Sequence, residues 1–145
     1  MNSGSAAIDL EETVRSFIPG IQLRQAAPFG SGHINDTFLI SLSGTEEKYI
    51  LQRINKAVFR DVPGLMHNIG LVCEHILSKL EAGESTAFRK ECYTFLKTEK
   101  GQNYFEEAHH DFWRMTPFVE NSQSFDTIDS GKKAYNGGAA YGEFL

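Results

Sequence analysis

The sequence predicts an α+β domain, an antiparallel sheet of about five strands with one main helix packed on it. Three observations carry this. Residues 36–42 (DTFLISL) alternate, with Phe38, Ile40 and Leu42 on one face, and a polar turn (SGTEE) leads to a second β-favouring run, KYILQRI, at 48–54. Apolar residues from Val62 to Leu80 then recur at three–four spacing without a break, which marks one long amphipathic helix. Beyond it the chain returns to short aromatic-rich runs, so strands flank the helix on both sides.

Length and charge bound the function. The 145 residues suit one modest domain, and a composition 41% apolar and 23% charged can support a core. A formal net charge of -5, with no basic stripe, argues against nucleic acid or a membrane surface as partner. No apolar run reaches the roughly 18 residues that a membrane-spanning helix needs. The opening MNSGSAAIDLEET has neither the basic start nor the apolar core of a secretory signal. Cys73 and Cys92 form no CxxC pair and sit in apolar patterns, which reads as two small buried thiols in a reducing cytoplasm.

The elements follow in order. Asp9 and Glu12 have capping-box spacing, Leu10, Val14, Phe17 and Ile18 share a helical face, and Pro19-Gly20 ends a helix of about two to three turns. IQLRQAAPF (21–29) is the first strand, followed by DTFLISL and KYILQRI, three strands in a meander. Asp61 is placed to cap the long helix, and Pro63 sits where its missing N–H costs little. His67, Asn68, Glu74, His75 and Lys79 fall on that helix's polar side. ECYTFLKT (91–98), NYFEE and DFWRMTPFVE (111–120) read as further strands. A last helix starts at Ser130, with Ala134, Gly138, Tyr141, Gly142 and Leu145 at three–four spacing.

The loop GSGHIND (30–36) lies between the first two strands. Gly30 and Gly32 would let backbone N–H groups approach an anion, Ser31 adds a hydroxyl, and Asn35 is among the few residue types that tolerate a left-handed backbone. No GK[ST] follows, so it is not a Walker A loop. A strand rather than a helix follows, so it is not a dinucleotide fingerprint. A phosphate-covering loop and a plain hairpin turn both fit these residues. Two other clusters have bland readings: His109-His110-Asp111 as an exposed turn rather than a zinc site, because adjacent strand side chains diverge, and Cys73 and His75 as no nucleophile pair, because residues two apart on a helix do not face one another.

Four ordered blocks, GSGHINDTFLI, KYILQRINKAVF, LMHNI in the long helix and FWRMTPFVE, resemble the aminoglycoside phosphotransferase and choline kinase-like small-molecule kinases, with the N-acetylhexosamine 1-kinase branch the nearest. The resemblance runs from about residue 22 to the C-terminus. It implies a protein-kinase-like N-terminal lobe over residues 21–120, preceded by a helical extension (1–20) and followed by a linker and the start of a second lobe (121–145). It implies ATP and magnesium as cofactors, and a small-molecule hydroxyl as acceptor of the γ-phosphate. Gly30, Ser31, Gly32, His33 and Asn35 would cover the nucleotide. The phosphate-contacting cation of the third strand falls on Gln52, which is neutral; either Gln52 contributes a neutral hydrogen bond, or a bulge presents Arg53, or Arg53 is structural. Phe118, Val119 and Glu120 would form the hinge at the adenine edge, where Pro117 cannot donate. Trp113 reads as core, Arg114 as part of a buried ion pair, and Glu74 and His75 as a solvated face.

The same resemblance places the catalytic base and magnesium ligands in an HxD loop and a later aspartate motif, neither of which follows residue 120. Catalytic and metal residues are therefore expected in a second lobe, the chain alone is expected to be inactive, and the surface facing that lobe is expected to favour self-association. The rival readings are a non-catalytic nucleotide-binding or interaction module, and a kinase for choline, homoserine or an aminoglycoside.

Overall fold

A computed structural model describes residues 9–82, 94–122, 125 and 127–144. Its elements are α1 (Leu10–Phe17), β1 (Leu23–Pro28), β2 (Asp36–Leu42), β3 (Lys48–Ile54), α2 (Val62–Ala82), β4 (Phe105–Glu106), β5 (Phe112–Pro117) and α3 (Gly131–Phe144). The strands form one five-stranded antiparallel sheet in the order β1-β2-β3-β5-β4. The α+β class expected from the sequence is the one observed, with a five-stranded antiparallel sheet and one long helix between β3 and β4.

Each face of the sheet has its own cover. Alternation sends Ile40, Leu42, Leu51, Trp113 and Met115 to one side, where they bury with Val14 and Phe17 of α1. Asp9 starts α1 by accepting from the Glu11 and Glu12 N–H groups at 3.0 and 3.2 Å, which is one half of the expected capping box. Trp113 anchors this core: it is fully buried, tilts against Phe38 at 6.2 Å, and carries the Arg53 guanidinium 6.0 Å from its ring centre. Its Nε1 has no hydrogen-bond partner, which leaves a desolvation cost of about 1–3 kcal/mol against its large apolar burial.

On the opposite side Ile54 packs with Val62 and Met66 of α2, and Phe112 and Tyr104 close the cluster. Asp61 caps α2 as expected, accepting from the Gly64 N–H at 2.9 Å. Asn103 donates to the Met66 carbonyl at 2.9 Å, an approach that fits because position 70 is glycine: a Cβ there would stand 3.0 Å from Asn103 Nδ2. The expected buried stripe of α2 holds only in part. Val62 and Met66 are buried, but Val72 is 51% exposed, because it lies at the edge of the stripe.

Three further expectations change. Residues 91–93 lie outside the described residues, and 94–98 form no strand; they are tied to β5 through Leu96, whose N–H donates to Met115 O at 2.9 Å. The expected NYFEE strand shrinks to Phe105–Glu106. Cys73 is half-buried rather than buried, and Cys92 lies outside the described residues. The last helix forms where expected, with Ser130 Oγ accepting from the Lys133 N–H at 3.4 Å, but Tyr141 on its stripe is exposed.

Candidate functional site

The loop between β1 and β2 is closed at its foot by one backbone bond, Phe29 N–H to Thr37 O at 2.9 Å. Gly30 follows in the left-handed region (φ 81°), where any side chain would be strained. Gly32 has no positive φ, and His33 and Ile34 are exposed. Asn35 departs from expectation. It is not left-handed; its Oδ1 accepts from the Asn55 N–H at 3.0 Å, so its amide ties the loop to the end of β3.

Below the loop the strand register aligns three polar side chains. Thr37, Gln52 and Arg114 are direct cross-strand partners on β2, β3 and β5 and so share a face. Gln52 Nε2 donates to Thr37 Oγ1 at 3.0 Å, and Arg114 Nε donates to Gln52 Oε1 at 3.0 Å. This is the face on which α2 packs. Arg53 is on the other face. Its Nε donates to Asp36 Oδ2 at 2.8 Å, Nη2 also binds that carboxylate, and Nη1 reaches Asp111 at 3.4 Å. Register runs without a shift from Tyr49 to Ile54, so no bulge turns Arg53 toward Gln52.

Asp111 also binds Lys56 Nζ at 2.9 Å, and this bond, with Arg53, holds its carboxyl below the usual carboxylate range against the opposing effect of burial. The Arg53 guanidinium is shifted up, mainly by its bond to Asp36. His110, left-handed at φ 61°, places Nδ1 2.6 Å from Glu106 Oε1. His110 and Asp111 are thus committed to separate partners, and among the described residues no group of three or more His, Cys, Asp or Glu is placed to hold a metal.

Beside the start of β3 the chain leaves β5 and turns at residues 120–121. The Phe118 N–H extends the ladder to Lys48 O at 2.9 Å, so it is occupied by the sheet rather than turned to a ligand edge. Ser122 Oγ donates to Val119 O at 2.7 Å, and Asn121 is left-handed. Lys48 Nζ lies 3.5 Å from Glu120 and 6.0 Å from the Phe118 ring centre. Phe118 and Phe29 meet edge to face, 5.6 Å between centroids and 89° between planes. The loop's root and the segment after β5 therefore converge at Phe29 and Phe118. Glu74 pairs with Lys97 at 3.8 Å, on a groove of about 560 Å³ between α2 and residues 94–104.

No family model matches the sequence. Among solved structures, spectinomycin phosphotransferase, APH(9)-Ia, in complex with ADP and spectinomycin, is similar to this chain at a TM-score of 0.47 and 13% identity. The likeness covers 86% of this chain and 32% of that one, so the chain spans about a third of that protein's length.

Two residues of this face escaped the sequence reading. Phe29 was read only as the end of a strand, and Arg114 as an ion-pair residue. Both belong to the face through pairings that a single sequence does not display, since β5 joins β3 across an intervening helix and β4.

Proposed function

We propose that this chain binds ATP on the sheet face that carries Thr37, Gln52 and Arg114, as the N-terminal lobe of a small-molecule kinase. In this reading residues 30–36 lie over the phosphates and residues 118–120 meet the base. The observation that carries it is the Phe29–Phe118 contact, which joins the root of the glycine loop to residue 118 on the sheet face that also carries the half-buried pair Leu39 and Ile50. A flat base suits such a face, and a polar row at the foot of the loop suits phosphate. With the Phe118 N–H used by Lys48, donation to the base falls to Val119 or Glu120.

The transfer itself is proposed for the whole kinase: passage of the ATP γ-phosphate to a small-molecule hydroxyl, the anomeric hydroxyl of an N-acetylhexosamine being the acceptor that the sequence resemblance implies. No base is assigned to this sequence. Magnesium neutralises phosphate charge in such reactions, but the described residues offer no cluster for it, so no ligand is assigned here. Affinity for ATP is accordingly expected to be weak and magnesium-dependent.

Amide chemical shifts recorded while adenosine, and then magnesium-ATP, is titrated to millimolar concentration test the reading. Adenosine is expected to move Val119, Glu120 and Ile50, and ATP to move Gly30 and Gln52 as well. Shifts confined to the α1 face, or none with either ligand, would overturn it.

A further inference from the structure

The glycine loop ends in two consecutive residues that are each tied to the end of β3. Asn35 Oδ1 accepts from the Asn55 N–H at 3.0 Å. Asp36, the direct cross-strand partner of Arg53, accepts from both Nε and Nη2 of its guanidinium on one carboxylate oxygen. On this side the loop stands off the sheet. A pocket of about 330 Å³ opens between His33 and Ile34 on the loop and Asn55 and Lys56 beyond β3, and both loop residues are exposed.

We infer that Arg53 is a positioning residue for the nucleotide: seated on the α1 side of the sheet, it fixes the loop through Asp36 and does not itself meet the phosphates. The inference rests on the nucleotide reading above. The guanidinium suits an anchor. Its partner on β5, Trp113, is fully buried, and the ring centre lies 6.0 Å from the guanidinium carbon. Nη1 reaches Asp111 at 3.4 Å, and Asp111 is held in turn by Lys56 Nζ at 2.9 Å. All three guanidinium nitrogens therefore have an acceptor, and two acids face two cations, so the cluster offers a phosphate no net charge. A carboxylate that holds two N–H groups of one guanidinium cannot swing without losing both.

The effect on binding is one of order. A phosphate under residues 30–36 collects backbone N–H groups whose directions must be fixed. Where the sheet has fixed them in advance, binding does not bear the cost of ordering them. Charge alone argues for the opposite sign. Asp36 is an anion at the end of a phosphate loop, so by Coulomb's law its removal would strengthen binding, and more so if Arg53 were thereby released to meet phosphate. The clamp requires that removing Asp36 weaken binding.

The experiment compares Kd for magnesium-ATP with Kd for adenosine in this chain and in Asp36→Ala, Arg53→Gln, their double variant and Asp61→Ala. Asp36→Ala and Arg53→Gln are each expected to lose about tenfold of the preference for ATP over adenosine, the size of re-ordering roughly one residue of backbone, with adenosine binding unchanged. The double variant is expected to lose no more than either alone, because the two side chains act as one pair. Asp61→Ala, which removes the cap of α2, is expected to keep the preference. An equal loss in Asp61→Ala would assign the effect to general destabilisation and overturn the inference. A preference unchanged or raised in Asp36→Ala would overturn it while leaving the nucleotide reading in place. Binding of neither ligand by the unaltered chain would overturn both.

A second readout needs no ligand. Backbone amide order parameters at His33 and Ile34 are expected to fall in Asp36→Ala and in Arg53→Gln, while that of Gly44, between β2 and β3, stays as in the parent. Unchanged order at His33 and Ile34 overturns the clamp whether or not a nucleotide binds.

Discussion

Asn35 Oδ1 accepts a hydrogen bond from the Asn55 backbone N–H at 3.0 Å, and this bond fastens the glycine loop to the turn after β3. That turn is itself closed locally: Asn55 Oδ1 accepts from the Ala57 N–H at 2.9 Å, and its carbonyl accepts from the Val58 and Phe59 N–H groups at 3.1 and 2.9 Å. If Asn35 stood for a glycine, Asn35→Gly would be neutral or stabilising. Because its amide is what matters, Asn35→Gly is expected to cost at least as much as Asn35→Ala, about 1 kcal/mol, in urea unfolding. A glycine variant as stable as the parent would refute this anchoring role.

Asp111 gives the protein an acid-sensitive joint between β5 and the turn after β3. Its folded carboxyl titrates below its ordinary value, because Lys56 and Arg53 favour the charged form. The unfolded chain therefore takes up this proton first as pH falls. The stabilisation is present above about pH 4 and is lost as pH drops through the lowered folded value. Asp111→Asn is expected to be less stable than the parent at pH 7, with the gap narrowing by pH 3. Urea midpoints at the two pH values measure this, and a constant gap would exclude the linkage.

Tyr49 makes the reciprocal case at high pH. Burial, and then its bond to Glu47 at 2.6 Å, push its hydroxyl up to about 12. The unfolded phenol ionises near 10, so the unfolded state loses the proton first. Stability from this group is full below about pH 10 and disappears as pH rises toward 12. Tyr49→Phe keeps the ring in the Trp113 core and is expected to flatten the alkaline limb of the stability curve. Tyrosinate absorbance during titration of the parent should show one late ionisation that this variant lacks.

What the sequence disclosed follows the range of the interactions involved. β2 and β3 match their expected bounds, because alternation and a short turn are local signals. Asp9 and Asp61 were legible as caps for the same reason. β4 was overestimated because NYFEE has strand-like residues while its length is set by β5, a partner that local propensity does not see. The site divides in the same way. The glycine loop could be read as a string of residues, whereas the opposite orientations of Gln52 and Arg53 required an unbroken β3–β5 register. Arg114 entered only through that register, and Phe29 only through its contact with Phe118 across the sheet.

The start of α2 offers a test in which one substitution decides the effect of another. Alanine in place of a helical glycine ordinarily stabilises by up to about 1 kcal/mol. At Gly64, however, an added Cβ would lie 2.2 Å from Asp61 Oδ2 and 2.8 Å from its Cγ, so the capping side chain must swing away. Doing so breaks its bond to the Gly64 N–H, and losing such a cap costs about 1 kcal/mol. Gly64→Ala alone is therefore expected to be neutral or destabilising, and Asp61→Ala alone to cost about 1 kcal/mol. In the Asp61→Ala background the obstruction is gone, and Gly64→Ala should recover the ordinary helical gain. A double-mutant cycle in urea reads the coupling directly, and additive effects would mean that Asp61 does not hold the helix start as its geometry indicates.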